Sequence, residues 1–205
     1  MNKQTETIKK RYNRISGVFD LMEHIMKEEW RKELIQQADG SVLEVGVGTG
    51  TNLKYYSKEV QVTGIDFSPN MLKRAREKAN RLPVDIQLLE MDIQNLEFPD
   101  NTFDTVISTC VFCSVPDPVQ GLKEIRRVTK SNGKIIMLEH MRSENQIIGK
   151  FMDILNPIGL YFIGANINRR TIDNIHSSNM KIVKQEFFLS SILRKLVLSP
   201  NKNEL

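Results

Sequence analysis

Residues 42–52, VLEVGVGTGTN, run from a hydrophobic β-type stretch straight into glycines 46, 48 and 50 at alternate positions. A chain gives up side chains in this way where φ must be positive, or where something approaches the backbone more closely than a Cβ permits. A tight turn between strand and helix asks for one or two glycines, so three in alternation point to a ligand. In an open α/β sheet the loop after the first strand borders the crevice in which nucleotide-like ligands bind. The glycines therefore constrain the fold and the ligand class together.

The rest of the chain agrees with such a sheet. SVLEVG, VQVTGID, VDIQLLEMD, TFDTVISTCVF and GKIIMLEH read as strands. Helical stretches are expected from about Thr51, after Asp66, and over about Pro118 to Thr129. Strands and helices alternating in this way imply a parallel sheet with helices on both faces. After Asp66, Ser68 suits a helix cap, Pro69 a first turn, and Met71, Leu72, Ala75, Ala79 and Leu82 a buried stripe. Arg170 to about Ser178 reads as a further helix, and KIVKQEFF and ILRKLVLSP as closing strands, before a polar tail, NKNEL, expected to be loose.

Two segments lie outside the alternation. Tyr12, Ile15, Phe19, Met22, Met26, Trp30 and Leu34 recur at helical spacing with a break at Gly17, giving an amphipathic arm over residues 1–40. Its apolar stripe is expected to cover an edge of the core rather than to lie on a membrane. Residues 41–205 form one domain interrupted at about 143–170 by an insertion rich in large apolar residues, among them Ile147, Ile148, Phe151, Met152 and Ile154. That insertion and the arm are expected to shape an acceptor pocket, with core packing an equal reading. Asn166, Asn168, Arg169 and Arg170 suit either a polar head group or a helix cap.

At 205 residues the chain can bury a core without metal or disulfide support. With 40% hydrophobic and 26% charged residues and no membrane-length apolar run, a cytoplasmic protein is expected. A net charge of +4 permits acidic partners, but the basic residues are scattered, so no nucleic acid is expected; peripheral membrane contact and oligomeric state stay open. Cys110 and Cys113 form a CxxC. Residues three apart on a strand point to opposite faces and no second pair completes a tetrahedral site, so no metal or redox role is expected.

The ligand is narrowed by spacing. A dinucleotide fingerprint reads GxGxxG, whereas this loop reads GxGxG with Glu44 before it. Asp66, twenty positions after Gly46, suits ribose hydroxyls under either reading. ExGxGxG followed by GIDFSPNML, EMDIQNLEFPDNTFDTVIS and GLKEIRRVTKSNGKIIM resembles the class I S-adenosylmethionine-dependent methyltransferases, in the branch of the ubiquinone and menaquinone biosynthesis enzymes, over roughly residues 40 to 140. The resemblance implies a Rossmann-like, mostly parallel seven-stranded sheet and S-adenosylmethionine as cofactor. It implies that Gly46, Val47, Gly48, Gly50 and Asn52 face the methionine part, Asp66 the ribose, Phe67 and Met71 the adenine faces, and Asp92 and Ile93 the adenine edge. Thr109, Cys110 and Val111 would lie beside the transferable methyl, and Tyr12 over the cofactor as part of a lid. TCVFCSV, LEH and NPIGLYFIGANINRR are also similar to thiol S-methyltransferases and to bacterial phosphatidylethanolamine N-methyltransferase-like sequences. The thiol enzymes usually carry a hydrophobic N-terminal anchor that this sequence does not show, so substrate and location are not carried over.

Methyl transfer from a sulfonium is an in-line displacement with a neutral leaving group. Alignment alone can supply on the order of 7–11 kcal/mol. A base is needed only if the acceptor arrives protonated, and His140, ending the fifth strand on the crevice side, is the candidate; a structural histidine is the competing reading. His24 and His176 read as ordinary helix residues. The expected activity is methylation of a small, partly apolar acceptor: a thiol, lipid amine or quinol. The alternatives are an RNA or protein methyltransferase, an inactive S-adenosylmethionine-binding module and a dinucleotide oxidoreductase.

Overall fold

A computed structural model describes residues 3–17, 19, 26–162, 164–188 and 191–202. Met22, His24, Ile163 and the last three residues of the NKNEL tail lie outside the described residues. The elements are α1 (Lys3–Ile15), α2 (Glu28–Ile35), β1 (Ser41–Val45), β2 (Gln61–Asp66), α3 (Pro69–Ala79), β3 (Asp85–Glu90) and β4 (Phe103–Thr109). They continue as α4 (Pro118–Val128), β5 (Thr129–His140), α5 (Gln146–Phe162), α6 (Thr171–Ser177), β6 (Lys181–Phe188) and β7 (Leu193–Ser199).

The described strands form one seven-stranded sheet in the order β3-β2-β1-β4-β5-β7-β6. The pairs from β3 to β5 are parallel, and β7 runs antiparallel between β5 and β6. The strand order reverses beside β1, between β2 and β4, and this places the loops after β1 and β4 at one crevice. Side chains alternate between two cores, as a period of two requires. Leu43, Val106 and Met137 pack with Leu122 and Ile125 of α4, while Val42, Ile107 and Leu138 pack with Leu34 of α2 and Leu72 of α3.

The α3 signals act as expected: Ser68 Oγ accepts from the Met71 amide at 3.2 Å and Pro69 opens the helix. The helix expected from Thr51 is instead a single 3-10 turn, Leu53–Tyr55. Only residues 51–60 separate the glycine loop from β2, too short a crossover for a longer helix, and buried Leu53 and Tyr56 anchor it.

The insertion corrects a second expectation. It forms α5, but most of its large apolar side chains neither shape a pocket nor join the core. The inward face is built from Gly149, Met152, Asn156 and Gly159, while Ile147, Phe151, Ile154 and Ile158 face outward. Polar anchoring sets this orientation. The Arg142 guanidinium lies where a Cβ on Gly149 would stand, and Asn156 Oδ1 accepts from the Ile167 amide at 2.9 Å while its Nδ2 donates to Asn166 Oδ1 at 3.2 Å.

Candidate active site

A cavity of about 300 Å³ opens at the crevice. Of the residues expected at the site, Tyr12, Gly46, Val47, Gly48, Asn52, Asp66, Phe67, Met71, Thr109, Cys110, Val111 and His140 line it. A narrower recess of about 40 Å³ shares Gly46, Asp66, Phe67 and Val111 with it and adds Asp92 and Ile93. The structure does not bring Gly50 to either cavity. Its φ is +80°, and a Cβ there would stand 2.8 Å from Leu53 Cδ1 and 3.1 Å from the Ala75 Cα, so this glycine lets α3 approach the loop. Gly48 differs: its φ is +56° and a Cβ would meet nothing nearer than Phe19 Cε1 at 3.7 Å, leaving bare backbone toward the cavity.

Asp66 ends β2 buried between the two cavities. Its Oδ1 accepts from the Ser68 amide at 2.8 Å and its Oδ2 from the Gly48 amide at 3.0 Å. These bonds tie the carboxylate to the glycine loop and leave each oxygen a lone pair. Burial pushes its pKa up to about 6, and the two amides oppose that rise. Asp92 is oriented by Gln94, whose backbone amide and Nε2 both donate to its Oδ1 at 3.0 Å.

Below the glycines a polar chain crosses the core. Glu44 is buried and accepts from Asn52 Nδ2 at 2.8 Å and from the Tyr56 hydroxyl at 3.0 Å. Asn52 Nδ2 also donates to Thr109 Oγ1, and Asn52 Oδ1 accepts from Arg31 Nη1 of α2 at 3.0 Å. The loop after β4 hangs on a second buried acid. Glu139 accepts from Ser108 Oγ at 2.6 Å, the Val111 amide at 3.1 Å and the Phe112 amide at 3.2 Å. Burial raises its pKa to about 7 against these three donors. Between them Cys110 is held at φ +53°, an uncommon conformation for a residue other than glycine, at the cavity wall.

Cys113 donates to the Cys110 carbonyl at 3.3 Å, and burial pushes its thiol up to about 12, so it stays protonated at neutral pH. His140 lines the cavity, and burial lowers its pKa, which keeps the imidazole neutral and able to accept a proton. Asn166 and Arg169 are neither a helix cap nor a free head-group reader. The Asn166 amide donates to the Cys113 carbonyl at 2.7 Å and Arg169 Nη2 to the Val115 carbonyl at 2.8 Å, clamping the loop that follows the cavity wall. Asn168 donates to Asp153, and Arg170 is exposed.

α1 crosses the cleft. Tyr12 packs edge-on against Phe67 at 5.7 Å, and burial raises its hydroxyl pKa well above the ordinary phenol range. Asn13 fastens α1 to the start of α3: its Oδ1 accepts from Ser68 Oγ at 2.6 Å and its backbone carbonyl accepts from Asn70 Nδ2 at 3.1 Å. Lys9 pairs with Glu90 at 2.6 Å. The residues that sequence reasoning missed here are Arg31, Gln94, Asn13 and Glu139. For Glu139 the usable signal was a charge ending the apolar run IIML, whereas Arg31 sits among Glu28, Glu29, Lys32 and Glu33 and carries no such signal.

Residues 43–137 match the family described as Methyltransferase domain. The chain is 32% identical over 197 residues, 90% of its own length and 84% of the other's, to the ubiquinone/menaquinone biosynthesis C-methyltransferase UbiE of Bdellovibrio bacteriovorus. It is 47% identical over 103 residues to a phosphatidylethanolamine N-methyltransferase of Cereibacter sphaeroides, a match spanning 49% of this chain and about half (51%) of that protein. A solved SAM-dependent methyltransferase from Thermotoga maritima superposes with a TM-score of 0.68 at 18% identity, covering 93% of this chain and 98% of that one. Fold, site and relatives together define a class I S-adenosylmethionine-dependent methyltransferase. Within that class the chain carries a methyltransferase domain and is related along most of its length to the ubiquinone/menaquinone biosynthesis C-methyltransferases. The residues present fit the cofactor that this family implies: bare backbone at Gly48 faces the cavity, and Asp66 keeps lone pairs for a ribose diol.

Proposed function

We propose that this methyltransferase acts on a neutral, amphiphilic acceptor of the quinol type. The observation that carries the reading is the apolar make-up of the cavity walls that the cofactor-binding residues leave over. Phe19, Met26, Ala165, Ile192 and Leu193 line it, with His140 as the titratable group beside them. The one carboxylate among the described lining residues, Asp66, is bound to the glycine loop, so the acceptor end offers a cationic amine no counter-charge. A neutral acceptor suits these walls better. The relative aligned over most of the chain carries the name of a quinone-pathway C-methyltransferase, which supports the same choice.

When bound, S-adenosylmethionine supplies an electrophilic methyl group on a sulfonium. The Gly46 to Gly48 backbone and Asp66 would hold its amino-acid and ribose parts, and Phe67, Met71, Asp92 and Ile93 its adenine. Glu139 fixes the Cys110 to Phe112 loop as a rigid wall against which the acceptor is aligned. Tyr12 and Phe19, brought over the cleft by the arm, exclude water. A neutral His140 takes the acceptor's hydroxyl proton onto an imidazole nitrogen as the nucleophile forms.

The test is methyl transfer from labelled S-adenosylmethionine to three detergent-dispersed acceptors: a reduced short-chain demethylmenaquinol, phosphatidylethanolamine and an alkyl thiol. Label is expected in the quinol, and sharply less of it with His140→Ala at unchanged S-adenosylhomocysteine affinity. Label confined to the lipid amine or the thiol overturns the reading.

A further inference from the structure

Helix α5 turns the usual pattern inside out: its small and polar residues face the protein and its large apolar ones face water. Ile147 is 81% exposed, Phe151 60%, Ile154 72% and Ile158 55%. Their spacing of four, three and four residues sets them in one stripe along the helix. The inward face is Gly149, Met152, Asn156 and Gly159, fixed by the Asn156 and Arg142 anchors, so the stripe cannot be buried by rotating the helix without breaking those bonds.

Cations border the stripe. Lys150 is exposed on α5 itself, and Arg170 is 70% exposed beside Asp153, with exposed Asp173 4.0 Å from its guanidinium. At the other end of α5 the Leu160 carbonyl accepts from Arg11 Nη1 at 2.7 Å, which brings α1 alongside, and exposed Lys10 and Arg14 lie within one turn of Arg11. The acid on the flank of α5, Asp153, is matched by Arg142 at 2.9 Å. An apolar ridge between basic shoulders complements the headgroup and acyl boundary of an anionic bilayer. α5 cannot cross one: 17 residues span about 25 Å, and no described helix is long and apolar enough to span a membrane.

We propose that α5 lies flat on an anionic membrane surface, with its Ile147 to Ile158 stripe in the interface and the cations of α1, Lys150 and Arg170 against lipid phosphates. This goes beyond the acceptor reading and holds whichever acceptor is used. Arg11 joins the C-terminal end of α5 to the arm that carries Tyr12 over the cavity.

The experiment is flotation of the full chain with vesicles of phosphatidylcholine containing phosphatidylglycerol, against phosphatidylcholine alone, at low and high salt. The wild type should float with the anionic vesicles and lose binding in high salt. Phe151→Glu/Ile154→Glu should weaken binding by roughly tenfold or more, and Lys10→Ala and Arg14→Ala by about fivefold each. All variants should keep S-adenosylhomocysteine affinity, since these side chains lie outside the cavity. Flotation unaffected by the double acidic variant overturns the proposal. So does a failure to float, including the case in which the stripe instead holds a second copy, seen as a dimer in sedimentation that the same variant dissociates.

Discussion

Replacing Gly48 and Gly50 separately by alanine should split the glycine loop into a ligand-facing and a packing position. At Gly48, φ is +56° and the new methyl meets no protein atom nearer than 3.7 Å, so the fold bears only the left-handed backbone penalty. That is about 1–2 kcal/mol, or a fall in Tm of about 2–8 °C for a chain of this size. At Gly50 the same penalty adds to a methyl 2.8 Å from Leu53 Cδ1 and 3.1 Å from the Ala75 backbone. Overpacking there costs a further 1–3 kcal/mol or so, for a total fall of about 4–20 °C. Affinity should move the opposite way. The Gly48 methyl enters the space where the cofactor meets backbone and should weaken S-adenosylhomocysteine roughly 5- to 150-fold, whereas folded Gly50→Ala should bind within about twofold of wild type. Differential scanning fluorimetry and titration calorimetry give both readouts. Unchanged affinity in Gly48→Ala, or a larger loss of affinity in Gly50→Ala, refutes the assignment.

Four further outcomes follow from the site. Because Asp66 must be ionised to accept ribose hydroxyls, and burial lifts its pKa to about 6, S-adenosylhomocysteine affinity should be flat above pH 7 and about tenfold weaker at pH 5 by calorimetry. Turnover of the quinol should keep its acid limb below the ordinary histidine range, because burial lowers the His140 pKa; His140→Ala should reduce kcat far more than cofactor affinity, and equal activity of mutant and parent across pH 6 to 9 would sink the base role. The ionised form of Glu139 costs the folded state, since its pKa rises from 4.5 to about 7. Its stability contribution is therefore full below pH 4.5 and lost as pH rises through 7, so urea unfolding should show Glu139→Gln gaining about 2–3 kcal/mol on wild type between pH 5 and 8. Finally, Asn13→Ala removes acceptors for Ser68 Oγ and the Asn70 amide and should raise the cofactor off-rate severalfold in stopped-flow measurements, with little change in Tm.

Much of this was legible in order along the chain. Period-two alternation in β1, β4 and β5 and the Ser68–Pro69 cap are local signals, and local chemistry decides them. The glycines were legible as a loop but not as individuals: what separates Gly48 from Gly50 is the position of Ala75, on a helix that follows the next strand. The buried polar chain was hidden for the same reason. Arg31, Asn52 and Glu44 meet across 21 and 8 residues of sequence, and Glu139 reaches back 27 residues to Phe112. For α5 the composition declared an apolar segment without saying which way its side chains faced, and the answer lay in Arg142 and Asn156 anchoring the opposite side. The helix expected after Thr51 failed because a short crossover left it no room.

On the proposed function the two joined cavities behind the glycine loop hold the methyl donor, with its reactive end toward His140. A crystal structure of the full chain with S-adenosylhomocysteine measures this directly. Expected are ribose oxygens within hydrogen-bond distance of Asp66, adenine in the recess beside Asp92 and Ile93, and the sulfur opening toward Cys110 and His140. A ligand bound elsewhere, or bound with its ribose away from Asp66, would contradict it.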